Sequence, residues 1–119
     1  MVDDEMIKFR VKKIIEHCNQ IESDIGLLSF EEFKKSSLLC RATAFTLGNI
    51  SEQITKLKEK LSDKYPKIEW KKIANFRVLE SHIYWKMDYR LIYDIATIDL
   101  PILKKQVIEI LNELNQVDN

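Results

Sequence analysis

Residues 36–61 read SSLLCRATAFTLGNISEQITKLKEKL, and their rhythm is helical throughout. Leu47, Ile50, Ile54, Leu57 and Leu61 recur at three- and four-residue spacing, and Leu38, Leu39, Ala42 and Phe45 extend the apolar stripe upstream. A helix this long has to bury its stripe against other elements, and the rest of the chain offers helices rather than strands. Only two glycines and two prolines occur in 119 residues, which leaves little turn chemistry for hairpins. Gly48 inside the run costs about 1 kcal/mol relative to alanine and points to close helix packing rather than a break.

Upstream of this run, Ile7, Val11, Ile14, Ile15, Cys18 and Ile21 predict a first helix from Asp3 to about Ser23. Asp3, Asp4 and Glu5 suit the positive end of its dipole, and Gly26 suits a stop. Ser29-Phe30-Glu31-Glu32 has the form of a capping box and predicts a short turn of helix. Downstream, Pro66 disfavours helix at Tyr65, so Ser62–Pro66 is a breaker. Ile68, Trp70, Ile73 and Phe76 then predict a helix from about Glu69 to His82. Asp88 is a candidate cap for a short helix from Tyr89 to about Thr97, with Leu91, Ile92 and Ile95 inward. Asp99 and Pro101 open a last helix whose stripe is Leu103, Val107, Ile110, Leu111 and Leu114. The expected fold is all-α: an up-and-down bundle of four main helices plus a short one, forming a single domain over residues 1–119, with short connections that make neighbours antiparallel.

Bulk chemistry narrows the function. The formal net charge is zero, whereas proteins that bind long duplexes non-specifically carry a large basic surplus. Any contact with nucleic acid should therefore use a local patch, or a patch doubled by dimerisation. Cys18 and Cys40 have neither CxxC spacing nor a disulfide framework, and the expectation is reduced, buried thiols in a cytoplasmic protein. No apolar run of about 18 residues and no secretory h-region is present, so neither a membrane span nor a signal peptide is expected. His17 and Cys18 lack a second ligand cluster, and Gly26 and Gly48 stand alone, so no metal, phosphate-binding loop or cofactor is expected.

The stretch with chemistry in it is Asn75–Tyr84, NFRVLESHIY. It holds Arg77 and His82, one of only two histidines. Between Lys67 and Arg90 there are six Lys/Arg against three Asp/Glu, the locally most basic part of the neutral chain. An imidazole can take or give a proton near neutral pH, and a guanidinium fork fits phosphate oxygens. Together they suit cleavage of a phosphodiester by a neighbouring 2′-hydroxyl, which makes RNA the substrate. Lys71, Lys72 and Lys86 are candidate RNA contacts. Five residues apart is about 140° on a straight helix. Either the helix loosens near His82 or the cleft is built from more than one chain. The pair also has a plainer reading, in which Arg77 serves a surface ion pair with Glu80 or Glu69 and His82 sits near a helix end. Trp70 and Phe76 fall on the apolar rhythm and read as core, whereas Trp85 falls off it.

Arg77, four residues, His82, one residue and Tyr84 form an ordered motif. Lys64-Tyr65-Pro66-Lys67-Ile68-Glu69-Trp70 precedes it, Asp88 follows it, and Asp99-Leu100-Pro101-Ile102-Leu103 opens the last helix. In this ordered set the chain resembles the HepT-like toxins of the HEPN superfamily, partners of MntA-like nucleotidyltransferase antitoxins. The resemblance covers most of the chain. It implies a homodimeric, metal-independent endoribonuclease with Arg77 and His82 at a dimer-interface cleft, neutralised by transfer of AMP to Tyr84. There are two departures from the family pattern: Val78 stands where a polar Asn often follows the arginine, and Ser51-Glu52-Gln53, which retains only Glu52, stands where Gly-Glu-Ala is common. Two functions are therefore weighed. One is a toxin ribonuclease, favoured by the intact Arg77, His82 and Tyr84. The other is a non-catalytic HEPN binding module that docks a nucleotidyltransferase or nucleotide, favoured by Val78 and the neutral charge.

Overall fold

Asp3, Asp4 and Glu5 do open the first helix. In the structure, a computed structural model that describes residues 2–76 and 88–118, α1 spans Val2–Ile25. Val11, Ile14, Cys18, Ile21 and Ile25 form its buried stripe, which carries the helix two residues past the predicted end. It stops at Gly26, whose φ of 55° is the left-handed conformation that glycine adopts without strain. The Gly26 N–H donates to the Glu22 carbonyl at 2.8 Å and closes the last turn.

The capping box is present as predicted. Ser29 Oγ accepts from the Glu32 N–H at 3.2 Å, and the Glu32 carboxylate accepts from the Ser29 N–H at 3.0 Å, opening α2 (Phe30–Phe33). The backbone N–H of Ser29, together with its hydroxyl, holds the Glu32 carboxyl below the usual range. Phe33 is fully buried 5.3 Å from the Tyr93 ring, and Tyr93 Oη donates to the Leu28 carbonyl at 2.7 Å.

Helix α3 spans Ser37–Leu61, with Ser36 as N-cap accepting from the Leu39 N–H. It runs antiparallel to α1: Arg10 donates to Gln53 at 3.0 Å, and Asp3 pairs with Lys60 at 3.2 Å. Its lower stripe is buried as predicted, through Leu47, Ile50, Ile54, Leu57 and Leu61. Of the predicted upper stripe only Leu39 packs against the core, half-buried, and Ala42 is exposed. Cys40, Thr43 and Ala44 point inward, while Leu38 is 72% exposed and Phe45 58%. A helix with apolar residues on two adjacent faces leaves the choice of buried face to its neighbours. At the centre of this core, Ile50→Ala is expected to cost about 2–5 kcal/mol, read as a lower urea midpoint at unchanged slope.

The predicted third main helix begins where expected but is short. Helix α4 covers Trp70–Ala74, followed by a turn at Asn75–Phe76. The extension to His82 falls outside the described residues, but the helix already ends before Arg77. The Asn75 N–H is shared between the Lys71 and Lys72 carbonyls at 3.2 Å, and the Phe76 N–H takes the Ile73 carbonyl, tightening the end. Trp70, Ile73 and Phe76 are buried, as their rhythm predicts.

Asp88 caps α5 (Tyr89–Asp94), accepting from the Leu91 N–H at 3.0 Å. Ile92 and Ile95 are buried as expected, but Leu91 is 44% exposed. The separate last helix is also corrected. A π-helical turn, Ile95–Asp99, joins α5 directly to α6 (Leu100–Asp118), with the Leu100 N–H reaching the Ile95 carbonyl. Pro101 explains the join. Its ring would crowd the carbonyl four residues back in an α-helix, and the wider turn relieves that crowding without breaking the run. Helix α6 lies against α1, where Lys104 pairs with Glu22 at 3.1 Å. Among the described residues there is no strand, and the fold is the expected all-α bundle.

Candidate active site

Arg77, His82, Tyr84 and Lys86, with Val78 and Trp85, lie outside the described residues. What is described is the frame on either side of them, which ends at Phe76 and resumes at Asp88. The segment from Tyr65 to Phe76 lies along α6 in the opposite direction. Tyr65 bonds Glu113, Gln106 donates to the Lys67 carbonyl at 3.4 Å, and Lys72 reaches Asp99 at 3.2 Å. Trp70 Nε1 donates to the Tyr65 carbonyl at 2.9 Å, tying the breaker to α4. Burial first, and then the Glu113 bond, push the Tyr65 phenol up to about 12.

Two cavities lie along this seam. One of about 80 Å³ is lined by Lys72, Ile73, Phe76, Asp99, Ile102 and Leu103. The other, of about 220 Å³, is lined by Lys64, Tyr65, Pro66, Lys67 and Gln106. The smaller one is walled by Phe76, the residue before Arg77 in sequence.

The two described lysine candidates differ. Lys72 is held between Asp99 at 3.2 Å and Glu69 at 3.5 Å, and the Asp99 bond holds its ammonium above the ordinary range. Lys71 is exposed and makes no ion pair among the described residues, so it is the one available to a phosphate. Trp70 and Phe76 are core, which removes them as base-stacking platforms. Cys18 and Cys40 are buried free thiols, and burial pushes Cys18 up to about 12. His17 is half-buried, and desolvation lowers its pKa. Among the described residues no group of three or more His, Cys, Asp or Glu side chains could hold a metal, and no helix is long and apolar enough to cross a membrane.

One residue of the frame was not singled out by its side-chain chemistry. Ser51 Oγ, fully buried, donates to the Ala74 carbonyl at 2.6 Å. The signal in the sequence was its place on the apolar stripe of α3, between Leu47 and Ile54, where a hydroxyl needs a buried partner.

Residues 14–110 match the family model described as Ribonuclease HepT-like. The chain is 33% identical over 103 residues to a protein of Caldanaerobacter subterraneus subsp. tengcongensis named "Putative RNase", covering 87% of this chain and 92% of the relative. Two Methanocaldococcus jannaschii proteins bear the same name. One is 30% identical over 105 residues (88% of this chain, 87% of the relative) and the other 27% over 112 (94% and 93%). No solved structure matches. With the family model spanning most of an all-α chain, and with relatives of nearly the same length, the chain belongs to the HepT-like ribonucleases of the HEPN superfamily, a family of endoribonucleases.

Proposed function

We propose that the chain is the toxin of a two-component pair: an endoribonuclease that cuts RNA without metal, using Arg77 and His82, and that is silenced by AMP transfer to Tyr84. The observation that carries this is the intact order Arg77, His82, Tyr84 inside the stretch that matches the family. His82 takes the proton of the 2′-hydroxyl as its oxygen attacks the adjacent phosphorus. Arg77 stabilises the charge that builds on the phosphate oxygens. As the bond from phosphorus to the 5′-oxygen breaks, that oxygen takes a proton from water, His82 later returns its own to solvent, and the products are a 2′,3′-cyclic phosphate and a 5′-hydroxyl. Exposed Lys71, a few residues before Arg77, supplies a positive charge for a flanking phosphate.

The active unit is a homodimer, in which a two-fold axis doubles both the arginine and the proton-transfer group around one cleft. The apolar side chains left outside the core, Leu38 and Phe45 on α3 and Leu91 on α5, suit such an interface. Light scattering at micromolar concentration should give twice the chain mass, and an active monomer would sink the dimeric cleft. The partner is an MntA-like nucleotidyltransferase.

The deciding experiment is expression of this chain alone. Growth should arrest, and Arg77→Ala should relieve the arrest. A binding module without RNA cleavage, which Val78 favours, instead leaves growth unimpaired with either chain.

A further inference from the structure

Inside α3 the threonines do what hydroxyl side chains in helices ordinarily do. Thr43, Thr46 and Thr55 each donate to the carbonyl four residues back, at 2.8, 3.1 and 2.9 Å. Ser51 does not. It reaches out of its own helix to the Ala74 carbonyl, and at 2.6 Å it is closer than any of the three. Ala74 is the last residue of α4, and its carbonyl is one of those that a helix end leaves without an intrahelical donor.

The bond matters because α4 cannot place itself. It has five residues, and Glu69 at its start makes no side-chain cap bond. A single turn of helix has no stability of its own in water. Its position comes from outside contacts: Trp70 and Ile73 in the core, Lys72 on Asp99, and the Ser51 bond. Of these, only the Ser51 bond grips the backbone, and it does so at the end from which the chain goes on to Arg77.

We infer that Ser51 is a positioning residue for RNA cleavage: by holding the Ala74 carbonyl it fixes where the chain leaves α4, and so the approach of the arginine three residues on. The inference rests on the assignment of Arg77 as the catalytic arginine. A displacement of about 1 Å at a catalytic group can cost about 10²-fold in rate without touching the chemistry itself. Ser51→Ala removes the donor and leaves a part-buried carbonyl free to seek another. Ser51→Thr keeps the hydroxyl.

The test compares wild type, Ser51→Ala, Ser51→Thr and Arg77→Ala on one fluorogenic RNA oligonucleotide, with thermal melts of each. Ser51→Ala should lose tenfold or more in kcat with KM within twofold, at a temperature where it is fully folded, and Ser51→Thr should recover most of that loss. If Ser51→Ala does not fold, Ser51→Cys, a weaker donor of similar size, takes its place under the same criteria. An alanine variant within twofold of wild type in kcat, beside an inactive Arg77→Ala, overturns the role of Ser51 alone. Equal losses in the alanine and threonine variants also overturn it. Full activity in Arg77→Ala overturns the assignment of the arginine, and Ser51 falls with it.

Discussion

Arg77→Ala and His82→Ala should each lower RNA cleavage by about 10²–10⁴-fold while the helical circular-dichroism signal stays in place. Every tenfold step is about 1.4 kcal/mol of transition-state stabilisation. The two losses have different origins. Without His82 the 2′-hydroxyl must shed its proton to water, so the nucleophile is poor. Without Arg77 the nucleophile is made, but the extra negative charge on phosphorus has no fixed counter-charge. Arg77→Lys separates charge from shape: it keeps a cation but loses the planar fork, and should recover only part of the rate. Helicity should survive because α4 ends at Ala74, ahead of the arginine, and the buried side chains that anchor it, Trp70, Ile73 and Phe76, are untouched. Cleavage should proceed in EDTA and leave 2′,3′-cyclic phosphate ends. A requirement for a divalent ion, or unfolding of both variants, would contradict the assignment.

The second large effect is expected at Tyr84. Incubation with the proposed nucleotidyltransferase partner and ATP should add one or more AMP units to the wild-type chain and none to Tyr84→Phe, with ribonuclease activity lost only in the first. Transfer joins the phenolic oxygen to the α-phosphorus of ATP, expels pyrophosphate and releases the phenolic proton. The new phosphodiester carries negative charge two residues from His82 in sequence. It would compete for the guanidinium that an RNA phosphate needs, and its adenosine would obstruct the cleft. Tyr84 has a plainer role open to it, in which its ring packs and its hydroxyl bonds a backbone carbonyl. Intact mass decides between the two. An equal gain on both chains, or none on either, removes Tyr84 from the switch.

Features fixed within a few residues were legible in the sequence. The Ser29–Glu32 capping box and the Asp88 cap each need only a short side chain and a free N–H one turn away, and both are present. The lower stripe of α3 was legible because its apolar residues lie on one face only. Leu38, Phe45 and Leu91 were misplaced for the opposite reason: each sits beside a second apolar face, and the packing partner chooses between them. Pro101 was read as an opener because proline suits a first helical turn, and nothing local distinguishes that from a proline seated behind a π turn. At the candidate site, Arg77 and His82 stand out by their chemistry, and Tyr84 only by the family resemblance. Ser51 does not stand out by its chemistry, because its partner is a backbone carbonyl far along the chain, and every residue type has one of those.

The Glu22–Lys104 pair joins helices at opposite ends of the described chain. Helix α1 can meet α3 as soon as both exist, since a short connection links α2 to each. It cannot meet α6 until every described helix between them has been made. Loop closure over such a span is entropically dear and slow relative to pairing of neighbours. During synthesis, then, the buried stripe of α1 stays half covered until Leu103, Val107 and Ile110 arrive to complete it. A ribosome making this protein would carry a partly closed bundle until α6 emerged to cover the open side of α1.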